Sequence, residues 1–64
     1  MSNDDVRPML VEFLSRLGFE TMAREASTET EWDRLQRYAR VILHSLPQDK
    51  KRDVYSRFAL LKLV

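Results

Sequence analysis

Length and composition restrict this protein to one small domain and exclude most kinds of reinforcement. The chain has 64 residues, and a fold of that size buries only about 60% of the surface that it exposes when unfolded. It has no cysteine and one histidine, which excludes disulfides and leaves no ligand set for a structural zinc. With 44% apolar and 33% charged residues the composition is typical of an ordered domain in water. Since disulfides and zinc are excluded, self-association is the remaining way to reinforce so small a core.

The net charge is only +1, but it is divided unevenly along the chain. Residues 1–33 contain three arginines and eight acidic residues, whereas residues 34–64 contain eight basic residues and two aspartates. This acidic half and this basic half can complement each other within the fold or between two copies. The basic half can also contact an acidic protein or a nucleic acid, and of these the sequence favours the protein.

The longest purely apolar run is the four residues from Phe58 to Leu61, far fewer than the roughly 18–20 that cross a bilayer. The acidic N-terminal segment also lacks the layout of a signal peptide. We therefore expect no membrane partner, and an intracellular protein in the nucleus or the cytoplasm.

A first helix is predicted from about residue 5 to residue 17, where apolar residues recur every three or four positions. Asn3 or either following aspartate can cap its start, and Pro8 is expected in its first turn, where a missing N–H has no helical partner. Gly18 follows the last apolar residue and is expected to end the helix in a left-handed conformation. The stripe consists of Val6, Met9, Leu10, Phe13, Leu14 and Leu17.

A second, shorter helix is predicted after this glycine, because small and apolar residues continue at helical spacing. A third helix is predicted over residues 30–46, since Thr28 and Glu31 stand in the spacing of a capping box near its start. The apolar stripe of this third helix begins with Trp32 and Leu35.

Pro47 is expected to end the third helix, since the residue before a proline disfavours helical angles, and to open a fourth helix over residues 47–63. The fourth stripe contains Val54, Phe58 and Leu61. No segment shows the alternation of a strand. The sequence therefore predicts an all-α fold, a small bundle of about four short helices in a single domain of residues 1–64.

The motifs on which catalysis and cofactor binding commonly depend are missing from the sequence. There is no nucleophile elbow, no pair of histidines or cysteines, and a single glycine cannot form a phosphate-binding loop. The carboxylates of Asp4 and Asp5 are interpreted as helix-capping groups, and His44 as a residue of a helix C-terminus. We therefore expect no enzymatic activity, cofactor, metal or small-molecule substrate.

Two groups of basic residues are candidates for contact with a partner protein or a nucleic acid. Three arginines recur at helical spacing in the third helix, and three consecutive basic residues open the fourth. The alternative interpretation is a solvated face, or ion pairs with glutamates of the acidic half. The candidates are Arg34, Arg37, Arg40, Lys50, Lys51 and Arg52.

Residues 6–29 resemble the LisH motif, a family of short helical dimerisation elements. The residues that carry the resemblance are Leu10, Phe13, Leu14, Gly18, Phe19, Ala23 and Glu29. Met22 and Ala26 depart from the family's usual residues. The resemblance implies a LisH-like part over residues 5–29 and an intertwined helical homodimer, whose shared core comes from the first two helices of each copy. The predicted dimer interface consists of Leu10, Phe13, Leu14, Leu17, Phe19 and Ala23.

Residues 46–63 are similar to the BESS motif, a two-helix protein-interaction element of chromatin-associated factors. The similarity lies in the turn Leu46-Pro47, the basic residues that follow it, and the apolar positions Val54 and Phe58. It implies association between proteins, and it favours the nucleus over the cytoplasm.

Together these observations predict a non-catalytic protein-interaction module that forms a homodimer. The LisH resemblance further implies that the module scaffolds a larger regulatory complex concerned with transcription, ubiquitin ligation or microtubules. Its partners would then be a second copy and another protein. Two alternatives stay open: a nucleic-acid-binding helical domain that uses the basic half, and a small monomeric adaptor or inhibitor that binds a partner helix.

Overall fold

Gly18, Pro47 and one polar segment divide the chain into four helices. The computed structural model describes residues 3–64. Its helices are α1 (Asn3–Arg16), α2 (Glu20–Ala26), α3 (Trp32–Ser45) and α4 (Gln48–Leu60), and the described residues contain no strand. The prediction of an all-α bundle of four short helices is confirmed.

The four apolar stripes meet in one core that the single chain encloses by itself. Every helix contributes buried apolar side chains, and no polar or charged side chain is buried among residues 3–64. Burying one large apolar side chain stabilises a fold by about 1.5–3 kcal/mol, so the larger members supply most of the hydrophobic stabilisation. The core consists of Val6, Leu10, Leu14, Ala23, Ala26, Leu35, Ala39, Ile42, Leu43, Phe58 and Leu63.

The turn after α1 is built around Gly18, which adopts the predicted left-handed conformation with φ of +88°. The N–H of Phe19 donates to the Leu14 carbonyl at 2.9 Å, and the N–H of Gly18 donates to the Ser15 carbonyl at 3.1 Å. These two bonds form a Schellman motif, which provides partners for carbonyls at the helix end. A Cβ at Gly18 would meet no atom within 4 Å, so the requirement for glycine is conformational.

α1 begins at Asn3, earlier than predicted, and this changes the position of Pro8. The prediction that Pro8 lies in the first turn is wrong, because it is the sixth residue of α1 and has no N–H for the carbonyl four residues earlier. Two side chains fix this end of α1 from outside the helix. Nδ2 of Asn3 donates to the Thr30 carbonyl at 2.6 Å. Nε of Arg7 donates to the Glu29 carbonyl, also at 2.6 Å.

The segment between α2 and α3 is organised by Glu29 rather than by the predicted capping box. Its Oε2 accepts the backbone N–H groups of Thr30 at 3.1 Å and Glu31 at 3.2 Å. Its Oε1 lies 3.8 Å from Nη1 of Arg34, and the Glu29 side chain is only 11% exposed. Glu31 becomes an extended N-cap residue whose side chain makes no capping hydrogen bond. The capping-box prediction for Thr28 and Glu31 is therefore wrong, because Glu29 already accepts the N–H groups of this turn.

The turn between α3 and α4 follows the rule for residues that precede proline. Leu46 is extended, with φ of −84° and ψ of 149°, so α3 ends at Ser45. Pro47 is extended as well, and its carbonyl accepts the N–H groups of Lys50 and Lys51. The prediction that this proline ends α3 is confirmed, and the proline precedes α4 as its N-cap rather than forming its first residue.

The C-terminal end of α4 repeats the Schellman motif with lysine in place of glycine. Lys62 has φ of +62°, and its N–H donates to the Ala59 carbonyl at 3.0 Å. The N–H of Leu63 donates to the Phe58 carbonyl at 2.8 Å, and the Leu63 side chain is fully buried. Nε2 of Gln36 in α3 donates to the Lys62 carbonyl at 3.2 Å and fastens the turn. Burial of Leu63 thus offsets the ~1–2 kcal/mol that a left-handed conformation costs a lysine.

Candidate protein-interaction surfaces

The six residues of the predicted dimer interface occupy two kinds of position in the single chain. Three are buried in the chain's own core: Leu10, Leu14 and Ala23. The other three pack against the core and stay partly exposed: Phe13, Leu17 and Phe19. The hydrophobic effect buries the same apolar side chains whether they are covered by their own chain or by a second chain. The homodimer interface therefore stays a prediction, with half of its residues covered by the chain itself.

Phe13 joins the first helix to the last. Its ring meets the ring of Phe58 edge to face, with centroids 5.6 Å apart and planes at 85°. A contact of this geometry adds about 0.5–1.5 kcal/mol to the effect of the area that it buries. Replacing Phe13 by alanine would therefore destabilise the single chain whether or not a dimer forms. That variant does not distinguish a dimer core from a monomer core.

Arg34 and Arg37 line a groove between α2 and α3, apart from the other basic candidates. The groove has a volume of about 360 Å³ and is also lined by Thr21, Met22, Glu25 and Tyr38. Burial raises the pKa of the Tyr38 phenol above its ordinary value of 10.0, and the charges of Glu25 and Glu29 raise that pKa further. The guanidinium groups of Arg34 and Arg37 oppose this shift. The α2–α3 groove is therefore a site of mixed charge.

Arg40 and Lys51 meet at a second groove, between α3 and α4. This α3–α4 groove has a volume of about 390 Å³ and a mostly apolar surface. Leu43 is nearly buried there, whereas Tyr55 is 54% exposed and Val64 is 40% exposed. The groove is lined by Arg40, Leu43, His44, Lys51, Tyr55 and Val64. Arg40 and Lys51 are cationic and no lining side chain is a carboxylate, so the groove combines an apolar surface with basic edges.

Lys50 and Arg52 are exposed and line neither of these grooves. Successive residues of an α-helix point about 100° apart, so three consecutive basic residues cannot share one face. Lys51 alone of the three is partly buried and reaches the α3–α4 groove. The run that the sequence analysis treated as one contact is therefore divided between different faces of α4.

Ion pairs within residues 3–64 mostly engage the acidic half. The pairs are Arg7 with Asp4 at 2.7 Å, Arg16 with Glu12 at 2.5 Å, and Arg34 with Glu29 at 3.8 Å. Only one of the eight cationic side chains of the basic half thus has a carboxylate partner in the part of the chain that the structure describes. Those without one are Arg37, Arg40, Lys50, Lys51, Arg52, Arg57 and Lys62.

A further apolar surface forms where the end of α4 meets the start of α3. Leu60 is 85% exposed, and Trp32 and Leu61 beside it are partly buried. Together with Asn3 and Lys62 these side chains line a hollow of about 420 Å³. A single exposed leucine is ordinary on a protein surface, but a partly exposed tryptophan such as Trp32 is a common anchor of protein interfaces.

Tyr55, Leu60 and Val64 are surface candidates that the sequence analysis did not single out. They are the most exposed large apolar side chains of residues 3–64. Leu60 could have been found, because it stands two residues after Phe58 and so points to the opposite side of α4. Tyr55 could not, because it stands three residues before Phe58, a spacing that is also compatible with the buried stripe. Val64 could not, because its place beside α3 depends on the left-handed turn at Lys62.

No group of three or more histidine, cysteine, aspartate or glutamate side chains among residues 3–64 could hold a metal ion. None of the helices described is long and apolar enough to cross a bilayer. The predictions of no enzymatic activity and no cofactor stay predictions.

The segments that carry the two family resemblances occupy different parts of the bundle. The LisH-like segment forms α1, α2 and the turn at Glu29, and the BESS-like segment forms α4 with the turns at its two ends. Both resemblances stay predictions. The sequence matches no model of a known protein family and no curated protein, and no solved structure matches it.

Proposed function

We propose that this protein is a non-catalytic protein-interaction module whose binding surface lies on α4 and the residues that follow it. One observation carries the proposal: the three most exposed large apolar side chains described, Tyr55, Leu60 and Val64, all belong to this segment. The core is enclosed without them, so they are free to contact another molecule. Exposed apolar side chains among charged ones are typical of surfaces that bind proteins.

Site-specific photo-crosslinking tests this proposal in cells that make the protein. A photoreactive benzoylphenylalanine replaces Tyr55 in one variant and Leu60 in another, and a matched control carries it at Glu20, an exposed residue of α2. We expect discrete protein adducts from position 55, position 60 or both, and none from position 20. The adducts should survive nuclease treatment, which separates a protein partner from a nucleic acid.

Two results would contradict the proposal. One is the absence of adducts from both positions in α4 while the protein is folded and expressed. The other is an equal yield from position 20, which would indicate random collision rather than a binding surface. Adducts that disappear with nuclease would instead favour the nucleic-acid alternative.

Homodimerisation is the second candidate function, and a specific observation favours it. Phe13, Leu17 and Phe19, all in the predicted interface, keep part of their apolar surface exposed, so a second copy could cover them without opening the core. A dimer of this kind packs side by side. An intertwined dimer would require Leu10 and Leu14 to leave their intrachain positions.

Sedimentation equilibrium over a roughly hundredfold concentration range, at low and high salt, tests the homodimer. A mass near twice 7.6 kDa that does not depend on salt is the expected result, because apolar contacts are not screened. A folded monomer at every concentration would rule the dimer out and leave the interaction with another protein. The nuclear location and the role in a larger regulatory complex stay predictions.

A further inference from the structure

We propose that the α3–α4 groove binds an acidic amphipathic helix of another protein. The apolar stripe of that helix would pack on Leu43, Tyr55 and Val64. Its flanking carboxylates would meet Arg40 and Lys51. The inference rests on the proposed function and deepens it, because it names one site on the interaction surface and the chemical class of its partner.

The shape of the groove favours a helix as the bound element. The groove lies between α3 and α4, and apart from Val64 its lining comes from residues 40–44 of α3 and 51–55 of α4, a little more than one turn of each helix. A third helix can lie along the furrow between two packed helices, with its side chains entering the furrow at every third or fourth position. A partner helix of about 15 residues would cover this lining and extend about one turn beyond it at each end. Tyr55, which is amphipathic and half exposed, supplies an aromatic anchor.

The charge of the groove specifies the sign of the partner. Arg40 and Lys51 line it, no carboxylate side chain does, and neither of these cations has an ion-pair partner among residues 3–64. Unpaired cations at the rim of an apolar groove attract and orient a ligand with carboxylates at matching positions. The apolar surface then accounts for most of the affinity, and the rim accounts for selection of acidic over basic helices.

A different protein fits the groove better than the acidic half of a second copy. Asp4, Glu12 and Glu29 of that half already pair with arginines of their own chain. The apolar stripe of α1 in that half, Val6, Leu10 and Leu14, is also buried in the core of its own chain, so α1 cannot lay this stripe in the groove of a second copy. A separate acidic helix has neither restriction.

The apolar surface also separates this partner from a nucleic acid. Phosphate groups are attracted by the cations but gain no affinity from packing on Leu43 or Val64. An acidic amphipathic helix gains affinity from both, because its carboxylates meet the cations and its leucines meet the apolar side chains. Binding that depends on the leucine stripe of the ligand as strongly as on the basic residues is therefore the mark of an amphipathic helix, since Tyr55 can also stack on a nucleic-acid base.

The test uses a synthetic probe with a fluorescent label on one end. The probe is an amphipathic peptide of about 15 residues, with leucines every third or fourth position and glutamates on both sides of the leucine stripe. One control peptide has the same composition in an order that destroys the stripe. A second control replaces each glutamate by glutamine. Fluorescence anisotropy measures the Kd of the 64-residue chain for each peptide at near-physiological salt.

Three variants locate the site. Tyr55→Ala, and Arg40→Glu combined with Lys51→Glu, alter the apolar and the basic part of the groove. Arg24→Glu, on α2, is a charge-reversal control away from the groove. We expect the first two changes to raise the Kd of the acidic stripe peptide about tenfold or more, and the control to change it less than about twofold. Circular dichroism confirms that each variant keeps its helices.

Several results would overturn the inference. These are no saturable binding of the stripe peptide up to about 1 mM, equal binding of the scrambled or glutamine peptide, and an equal loss from Arg24→Glu. Displacement of the peptide by a single-stranded oligonucleotide that binds more tightly would assign the groove to nucleic acid. Self-association of the chain that Arg40→Glu with Lys51→Glu abolishes would assign it to a second copy. Adducts from position 60 but not from position 55 in the crosslinking experiment would keep the proposed function and reject this site.

Discussion

The acidic half and the basic half of this chain use their polar side chains in opposite ways. In the acidic half, the side chains of Asn3 and Arg7 donate hydrogen bonds to backbone carbonyls of the turn before α3, and the Glu29 carboxylate accepts hydrogen bonds from two N–H groups of that turn. In the basic half, seven of eight cationic side chains have no carboxylate partner among residues 3–64. The polar side chains of the acidic half thus stabilise the fold, whereas the cationic side chains of the basic half are available to contact other molecules.

This difference matters because exposed polar contacts contribute little unless several converge. An isolated surface ion pair stabilises a protein by about 0–1 kcal/mol, so the pair of Arg16 with Glu12 is a minor contact. Glu29 is different, because its nearly buried carboxylate meets two N–H groups and an arginine. The convergence at Glu29 is what makes the acidic half structural.

The largest expected effect comes from Phe58→Ala, which removes the main anchor of the basic half. Phe58 is fully buried and meets the ring of Phe13 across the bundle. Removing a buried phenylalanine costs about 3–5 kcal/mol, which is comparable to the whole stability expected of a domain this small. Thermal unfolding followed by circular dichroism should show no cooperative transition. A melting temperature close to that of the unchanged protein would mean that α4 is not part of the common core.

The next largest effect tests the difference between the two halves, with one polar side chain replaced in each. Glu29→Ala should lower the free energy of unfolding by about 1–2 kcal/mol, because two N–H groups and Arg34 lose their acceptor. Lys51→Ala should change it by less than about 0.5 kcal/mol, since this side chain has no polar partner in the described chain. Urea titration measures both, and Glu29→Gln, which keeps an acceptor oxygen, should cost less than alanine. Equal losses from the two alanine variants would remove the distinction between the halves.

A smaller effect compares the two Schellman turns. Lys62→Gly should raise the free energy of unfolding by about 1 kcal/mol, because glycine adopts the left-handed conformation without strain. Gly18→Ala should lower it by about the same amount, even though the space for a methyl group is open. Both changes are read from urea titrations. Stabilisation by Gly18→Ala would show that strain does not control that turn.

The smallest effect lies at the boundary between the halves, where Tyr38 of α3 faces Glu25 and Glu29. Burial, and then these two carboxylates, raise the pKa of Tyr38, so the folded state holds the phenol proton more tightly than the unfolded state. The resulting stability is present below the ordinary tyrosine pKa of about 10 and is lost as the pH rises through the higher folded value. Unfolding by urea on both sides of pH ~10 should show a steeper loss for the unchanged protein than for Tyr38→Phe. Identical slopes would mean that this phenol titrates alike in both states.

Much of the fold could be predicted from the sequence, because two residues with characteristic backbone angles mark the ends of helices. Gly18 and Pro47 have backbone restrictions that act locally, and each ends a helix where expected. The errors arose where a contact distant in sequence decides the outcome. Pro8 lies deeper in α1 because Asn3 and Arg7 reach the turn near Glu29 and hold the extra residues in the helix.

The candidate surfaces were harder to predict for a physical reason. An apolar stripe at helical spacing has the same appearance whether its own chain or a second chain covers it, so spacing could not show that Leu10 and Leu14 are buried within the monomer. Neighbouring basic residues also look like one patch in sequence, whereas helix geometry sends Lys51 to the groove and its neighbours elsewhere. Pairing of helices, not the pattern within one helix, determines which surface is left open.

The left-handed turn at Lys62 has a practical consequence for anyone who handles this protein. The turn reverses the chain after α4, so that Leu63 enters the core and Val64 lies against the α3–α4 groove. An affinity tag or fluorescent protein joined to Val64 would begin within the groove and could cover Tyr55 and Leu43. A label for binding studies belongs at an exposed position away from both the groove and Leu60, such as Glu20 of α2.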